Sequence, residues 1–238
     1  MKKLHTSCIL VTLMIMSSLS ITGCIDTPDA LPAFVDESAL DSYGWSQIQA
    51  VEYRTFEQKI SNSTSVSINS TVVKYRNDRL AEDIEKQISD FKNDHNLPAN
   101  IEVPSITSEI HTSRITFPAG VKLPNDIINR IVESSLKDLS SENNIEDLKA
   151  TSTRQITLQS GLTVPVYIHS GAKDSGSGGL SVIAVVAAYE SEDSSTIITG
   201  IIPNGSMSVN MGPVSGNLFT IDGERELEEM LKLIATLE

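Results

Sequence analysis

The chain has 238 residues, of which 39% are hydrophobic and 21% charged, and its formal net charge is −13. With 31 acidic against 18 basic side chains, this balance argues against nucleic acid as a partner and against electrostatic docking on anionic lipid. The only two cysteines are Cys8 and Cys24, and they sit where no disulfide framework of a small secreted domain would place them.

The amino terminus reads as an export signal. Lys2 and Lys3 precede an almost unbroken apolar run, Cys8 to Met16, followed by small and polar residues. The run fits the apolar core of a signal peptide and is too short to span a bilayer, which takes roughly 20 apolar residues. Ile21-Thr22-Gly23-Cys24 has the order of a lipobox, which predicts cleavage before Cys24 and a lipid on its thiol. Lipid chains contribute about 0.8 kcal/mol per buried CH₂, and two of them anchor durably. Cleavage would leave 215 of the 238 residues, enough for one domain with a real core. Loss of Lys2 and Lys3 would take the net charge from −13 to −15. The expected organisation is a signal at 1–23, a lipidated cysteine and Pro-containing tether at 24–32, and one globular domain at 33–238.

Along the domain, Asp36 to Tyr43 predicts a short helix capped by Asp36 and ended by Gly44. Trp45 to Ile60 and Ser65 to Tyr75 predict two strands of a hairpin turning at Ser61 to Ser63. Asp78 to His95 predicts a helix whose stripe is Leu80, Ile84, Ile88 and Phe91. Ile101 to Phe117 reads as extended, with a strand from Ser113 to Phe117. Asn125 to Leu139 predicts another helix. Thr151 to Leu158 and Leu162 to His169 predict strands, the latter with Leu162, Val164, Val166 and Ile168 on one face. Gly171 to Gly179 predicts a flexible loop. Leu180 to Tyr189 is apolar on both faces, the mark of a central, covered strand. Ser195 to Ile202 and Asn217 to Ile221 read as strands. A final helix spans Gly223 to Leu237, with Leu227, Met230, Leu231 and Ile234 toward the sheet. Helices that punctuate runs of strands without βαβ alternation predict an α+β fold, an antiparallel sheet with helices packed on it.

Three stretches carry a family likeness. They are the lipobox with its short tether, the run Pro32 to Tyr53, and Gly161 to Tyr189, where GLTVPVYIH leads through a Gly-rich loop into IAVVAAY. In these the sequence resembles a family of archaeal, largely haloarchaeal, lipoproteins defined only as a domain of unknown function. Asp78 to His95 stands as an inserted helix relative to that pattern, and the tail after Ser191 is longer. The resemblance implies archaeal origin and a lipid anchor, and implies no activity. The Phe117-Pro-Ala-Gly120 corner, the three-strand meander and the terminal helix also look like the sandwich of the PsbP and Mog1 proteins, which are mostly binding or assembly factors. That likeness concerns fold alone.

Candidate chemistry is sparse. Asn62, Asn69 and Asn204 head Asn-x-Ser/Thr sequons and are candidate N-glycan acceptors on an exported chain. Gly171 to Gly179 is no phosphate loop, because it joins two strands and Lys173 precedes the glycines. Gly176-Ser177-Gly178 lacks the spacing of a nucleophile elbow. His95, His111 and His169 lie far apart in sequence, so no metal site is predicted, and no cofactor. Tyr43 and Trp45 read as core at a helix–strand corner. The reading that follows is a lipid-anchored extracytoplasmic protein, a binding or accessory module at the cell envelope. Its expected partners are the membrane, through covalent lipid, and an envelope protein or small ligand. The competing readings are an envelope hydrolase whose site forms only in the fold, and a structural or stress-protective envelope protein.

Overall fold

The computed structural model describes residues 27–61, 64–97, 106–118, 145–173, 180–191, 193–211 and 214–238, together with Glu133, Ser134, Leu136, Lys137 and Ser141. Helix α1 (Glu37–Tyr43) leads into β1 (Trp45–Gln47), β2 (Glu52–Ser61) and β3 (Thr64–Asn77), then α2 (Asp78–Asp94). Strands β4 (Glu109–Thr116), β5 (Ile145–Thr157), β6 (Thr163–Lys173), β7 (Leu180–Glu190), β8 (Ser194–Met211) and β9 (Val214–Ile221) follow, and α3 (Gly223–Ala235) closes the chain.

All strand pairs are antiparallel. The order is β1-β3-β4-β8-β7-β6-β5, with β2 also on β3 and β9 on β8. Two meanders are therefore joined where β4 lies against β8, in the register Glu109↔Ile201 to Thr116↔Ser194. β7 is the covered strand its sequence predicts: Val182 through Ala187 are all buried, as burial on both faces requires of an unbroken apolar run.

One face of the sheet holds the main core. Tyr75, Ile110, Gly200, Val185 and Ile168 stand in one row across β3, β4, β8, β7 and β6. Over them lie Leu227, Met230, Leu231 and Ile234 of α3, the stripe read from the sequence, with Leu40 of α1 and Trp45 in the same cluster. Each fully buried Leu or Ile contributes about 1.5–3 kcal/mol. The stripe of α2, Leu80, Ile84 and Ile88 with Phe91 at its edge, packs instead on Met207, Leu218, Phe219 and Ile221 of the β8–β9 hairpin.

Helix ends follow local chemistry. Asp36 accepts from the Ala39 N–H at 2.9 Å, and Gly44 takes a φ of 69°. A Cβ on Gly44 would lie 2.6 Å from the Arg79 Cβ, so the corner needs glycine twice over.

Several elements depart from the sequence reading. The expected Trp45–Ile60 strand is two strands, β1 and β2, because residues 48–51 leave the ladder. β4 begins at Glu109 rather than Ser113, and β5 at Ile145 rather than Thr151. β6 runs through Gly171, Ala172 and Lys173, which the sequence assigns to a loop, and residues 174–179 lie outside the described residues. Most of the expected Asn125–Leu139 helix also lies outside them. Glu133, Ser134, Leu136 and Lys137 are helical, and Leu136 packs against the cluster of Ile145, Val182, Ala184 and Ile201 on the second sheet face.

The stretch expected as tether is part of the packed structure from Thr27 onward. Residues 27–36 form a strap laid over the core face, with Ala30, Ala33 and Val35 buried. A strap on a sheet face cannot join the ladder, so its backbone needs side-chain partners. They are supplied by polar groups at core-facing positions. Thr71 Oγ1 donates to the Leu31 carbonyl at 3.4 Å, Thr112 Oγ1 donates to the Ala33 carbonyl at 2.7 Å, and Tyr75 Oη accepts from the Val35 N–H at 3.0 Å. Burial pushes the Tyr75 phenol above its ordinary pKa, so it stays neutral.

Candidate functional site

Cys24 and Asn62 lie outside the described residues. The strap nevertheless fixes where the chain from Cys24 enters the domain. Thr27 donates through its hydroxyl to the Ser67 carbonyl. Asn69 Nδ2 donates to the carbonyls of Thr27 at 3.2 Å and Pro28 at 3.0 Å. At the strap's other end the Phe34 carbonyl accepts from the Glu238 N–H at 3.2 Å, and the Asp36 N–H donates to Thr236 Oγ1 at 3.2 Å. Arg114 adds a bond from Nη2 to the Glu238 backbone oxygen at 2.7 Å. The strap thus ties the chain's entry point to the carboxyl end of α3.

Two of the three sequon asparagines are structural. The Asn69 amide is engaged on both atoms, since its Oδ1 also accepts from Thr55 Oγ1 at 2.9 Å. Asn204 donates from Nδ2 to Ser181 Oγ at 3.1 Å and accepts from the Gly223 N–H at 3.1 Å. It therefore holds the first residue of α3 to the point where β8 leaves the main sheet. A glycan takes one of the two Nδ2 hydrogens, so on Asn69 it would cost one of the two bonds to the strap, and on Asn204 it would have to fit beside the bond to Ser181. In a glycosylating host, peptide mapping of the folded chain is expected to find Asn69 and Asn204 unmodified. High occupancy at either would show that the strap or the α3 start opens before modification.

The histidines do not converge. His111 on β4 and His169 on β6 share a sheet face, but β8 and β7 run between them. Three strand spacings and a two-residue offset along the strands put them about 16 Å apart. His111 Nε2 lies 3.3 Å from Glu109 Oε2, and this histidine, with burial opposing, holds the Glu109 carboxyl below its ordinary pKa. Burial lowers the pKa of His169. Trp45 is 3% exposed and Tyr43 packs on the same cluster, so this pair is core, as the sequence suggests.

The densest polar cluster is one the sequence reading does not single out. Glu226 on α3 is fully buried. Its Oε2 accepts from Asn77 Nδ2 at 2.7 Å and its Oε1 from Arg225 Nη2 at 2.9 Å. Asn77 also caps α2, accepting from the Leu80 N–H at 3.0 Å. Arg79 pairs with Glu229 beside it, and Asp78 accepts from Ser46 and from Arg76. Burial pushes the Glu226 carboxyl above its ordinary pKa, Glu229 adds to the rise, and Arg225 opposes it. Both its oxygens are engaged by protein donors and closed to solvent. The cluster therefore acts as a clamp that joins β3, α2 and α3.

Residues 32–238, nearly the whole described chain, match the family described as a domain of unknown function, DUF6517. The chain belongs to the DUF6517 family. The match runs through Asp78 to His95 and past Ser191, so both stretches that stood apart from the expected pattern are within the family domain. No curated protein and no solved structure matches the chain. In DUF6517 terms, the strap from Pro32, the clamp at Asn77 and Glu226, and helices α1, α2 and α3 lie inside the family domain.

Proposed function

We propose that this DUF6517 chain is an archaeal, lipid-anchored extracytoplasmic protein that serves at the cell envelope as a binding or accessory module for an envelope protein or small ligand. The observation that carries the reading is the Ile21-Thr22-Gly23-Cys24 lipobox, which stands three residues before Thr27, where the chain is already bonded to the sheet. An anchor at Cys24 would hold a domain that begins almost at once. We further read the architecture as α+β in the manner of the PsbP/Mog1 sandwich. This is supported by α1 and α3 lying together on one face of an antiparallel sheet.

The test is fractionation in an archaeal host with intact mass on each fraction. Wild type is expected in the membrane with added lipid mass, and Cys24→Ser in the soluble fraction or uncleaved. Equal fractionation of both without lipid mass would end the reading.

A further inference from the structure

The strap that orders the entry of the chain also carries large apolar side chains that face solvent. Leu31 is 71% exposed and Phe34 43%, while their neighbours Ala30, Ala33 and Val35 face the core. Tyr53, 68% exposed, stands beside them: it pairs with Thr71, whose hydroxyl donates to the Leu31 carbonyl. Leu162, 41% exposed, lies in the β5–β6 turn. There Leu158 donates to the Leu162 carbonyl and Gln159 donates to Ala235, at the same end of α3 that Phe34 holds through Glu238. Leu31, Phe34 and Tyr53 thus gather along the strap over the middle of β3, and Leu162 lies in the β5–β6 turn on the same helix side of the sheet. The fifth large exposed hydrophobic among the described residues, Ile48, is bonded to Lys74, next to the Tyr75 that holds Val35.

The chain also enters on this side. Thr27 is fixed at Ser67 and Asn69, and three residues of extended chain reach at most about 10 Å back to Cys24. Resting on the lipid anchor proposed above, we propose that Leu31, Phe34, Tyr53 and Leu162 are a membrane-contact face that seats in the interfacial layer of the bilayer and holds the domain in one orientation. A short tether keeps these side chains at high effective concentration next to lipid. Aromatic side chains with one polar edge suit that layer. The net charge, −13 for the full chain and −15 after loss of Lys2 and Lys3, gives no general attraction to anionic headgroups, so the proposed contact rests on apolar side chains. Asn77, where α2 begins, is six residues along β3 from Thr71, the level of Leu31 and Tyr53, so the start of α2 lies about 20 Å along the strand from the contact.

The test is photolabelling of membranes from cells expressing the full chain, with a carbene reagent confined to the bilayer and the labelled peptides read by mass spectrometry. Label is expected severalfold higher on the segments holding Leu31, Phe34 and Tyr53 than on Val214–Ile221. Leu31→Glu with Phe34→Glu, both at exposed positions, should stay in the membrane fraction and lose that label. A membrane-bound chain labelled no more on the strap than on Val214–Ile221 overturns the contact face and leaves the anchor standing. A chain found soluble and unlabelled overturns both.

Discussion

Asn77→Asp is expected to destabilise the domain by about 3–5 kcal/mol at neutral pH, the range for breaking a buried charge's partnership. The substitution is chosen because it spares the helix. Aspartate caps as well as asparagine, so the bond that Asn77 Oδ1 accepts from Leu80 survives. What it removes is the one N–H pair that Asn77 turns toward Glu226 at 2.7 Å. An acceptor-only carboxylate would then face a fully buried carboxylate, with Arg225 bonded to Glu226 and Arg79 nearby as the opposing charges. The pH dependence has a fixed sign. Burial already raises the Glu226 pKa above its ordinary 4.5, so the folded state holds the proton more tightly than the unfolded one. The stability this contributes is full below the unfolded value and is lost as pH rises through the folded one. In Asn77→Asp the second carboxylate pushes that window further up, so the deficit should shrink when unfolding is measured at mildly acid pH. Glu226→Gln in the same background supplies an amide donor to the new aspartate and should recover most of the loss. Urea unfolding of the two single variants and the double variant checks this. A double variant no more stable than Asn77→Asp would mean that Glu226 is not what the asparagine serves.

Much of this fold is legible in the sequence where a single period runs uninterrupted. β7, α2 and α3 are read correctly because each repeats its pattern over at least ten residues, so tertiary packing has little left to decide. Boundaries fail where the chain does two things at once. β8 reads as ending at Ile202, because Pro203-Asn204-Gly205 has the composition of a turn. The strand instead passes from the main sheet into the β9 hairpin there, and Gly205 takes a φ of 104° to make the bend. β4 is read short because Glu109, His111 and Thr112 break its apolar alternation, yet Thr112 is buried to serve the strap.

The strap itself resists sequence reading. Its Pro-containing composition is that of a linker, and its partners are forty or more residues away. The clamp leaves a fainter signal that can be stated. Glu226 lies four residues before Met230, on the apolar stripe of α3, where a charge has to find partners or neutralise. The chemistry of partner binding has no such signal in this chain. It depends on faces that several distant strands assemble.

Gly200→Val is expected to reverse what strand propensity alone would predict. Glycine weakens a strand by roughly 0.5–1 kcal/mol relative to alanine, and valine is favoured there, so propensity predicts a gain. Packing predicts a loss. Gly200 lies in the central row beneath α3, between Ile110 and Val185, and a Cβ there would run into the Met230 thioether and come within 3.2 Å of its Cε. Met230 is fully buried, and Leu227, Leu231 and Ile234 of the same helix are buried around it, so the room for the new side chain has to come from a new Met230 rotamer pressed against those neighbours or from a shift of α3. Overpacking a filled core costs about 1–3 kcal/mol. Alanine at 200 should fall at the low end of that range and valine at or beyond the top. Met230→Ala alone should cost about 2–5 kcal/mol through the cavity it leaves. Combined with Gly200→Val it fills that cavity from below, so the double variant should be clearly more stable than the two losses added. Urea midpoints across this cycle separate the two accounts. Additive losses, or a stabilised Gly200→Val, would mean that α3 does not seat on β8 through Met230, and the helix would then be free to shift on the sheet that carries the strap.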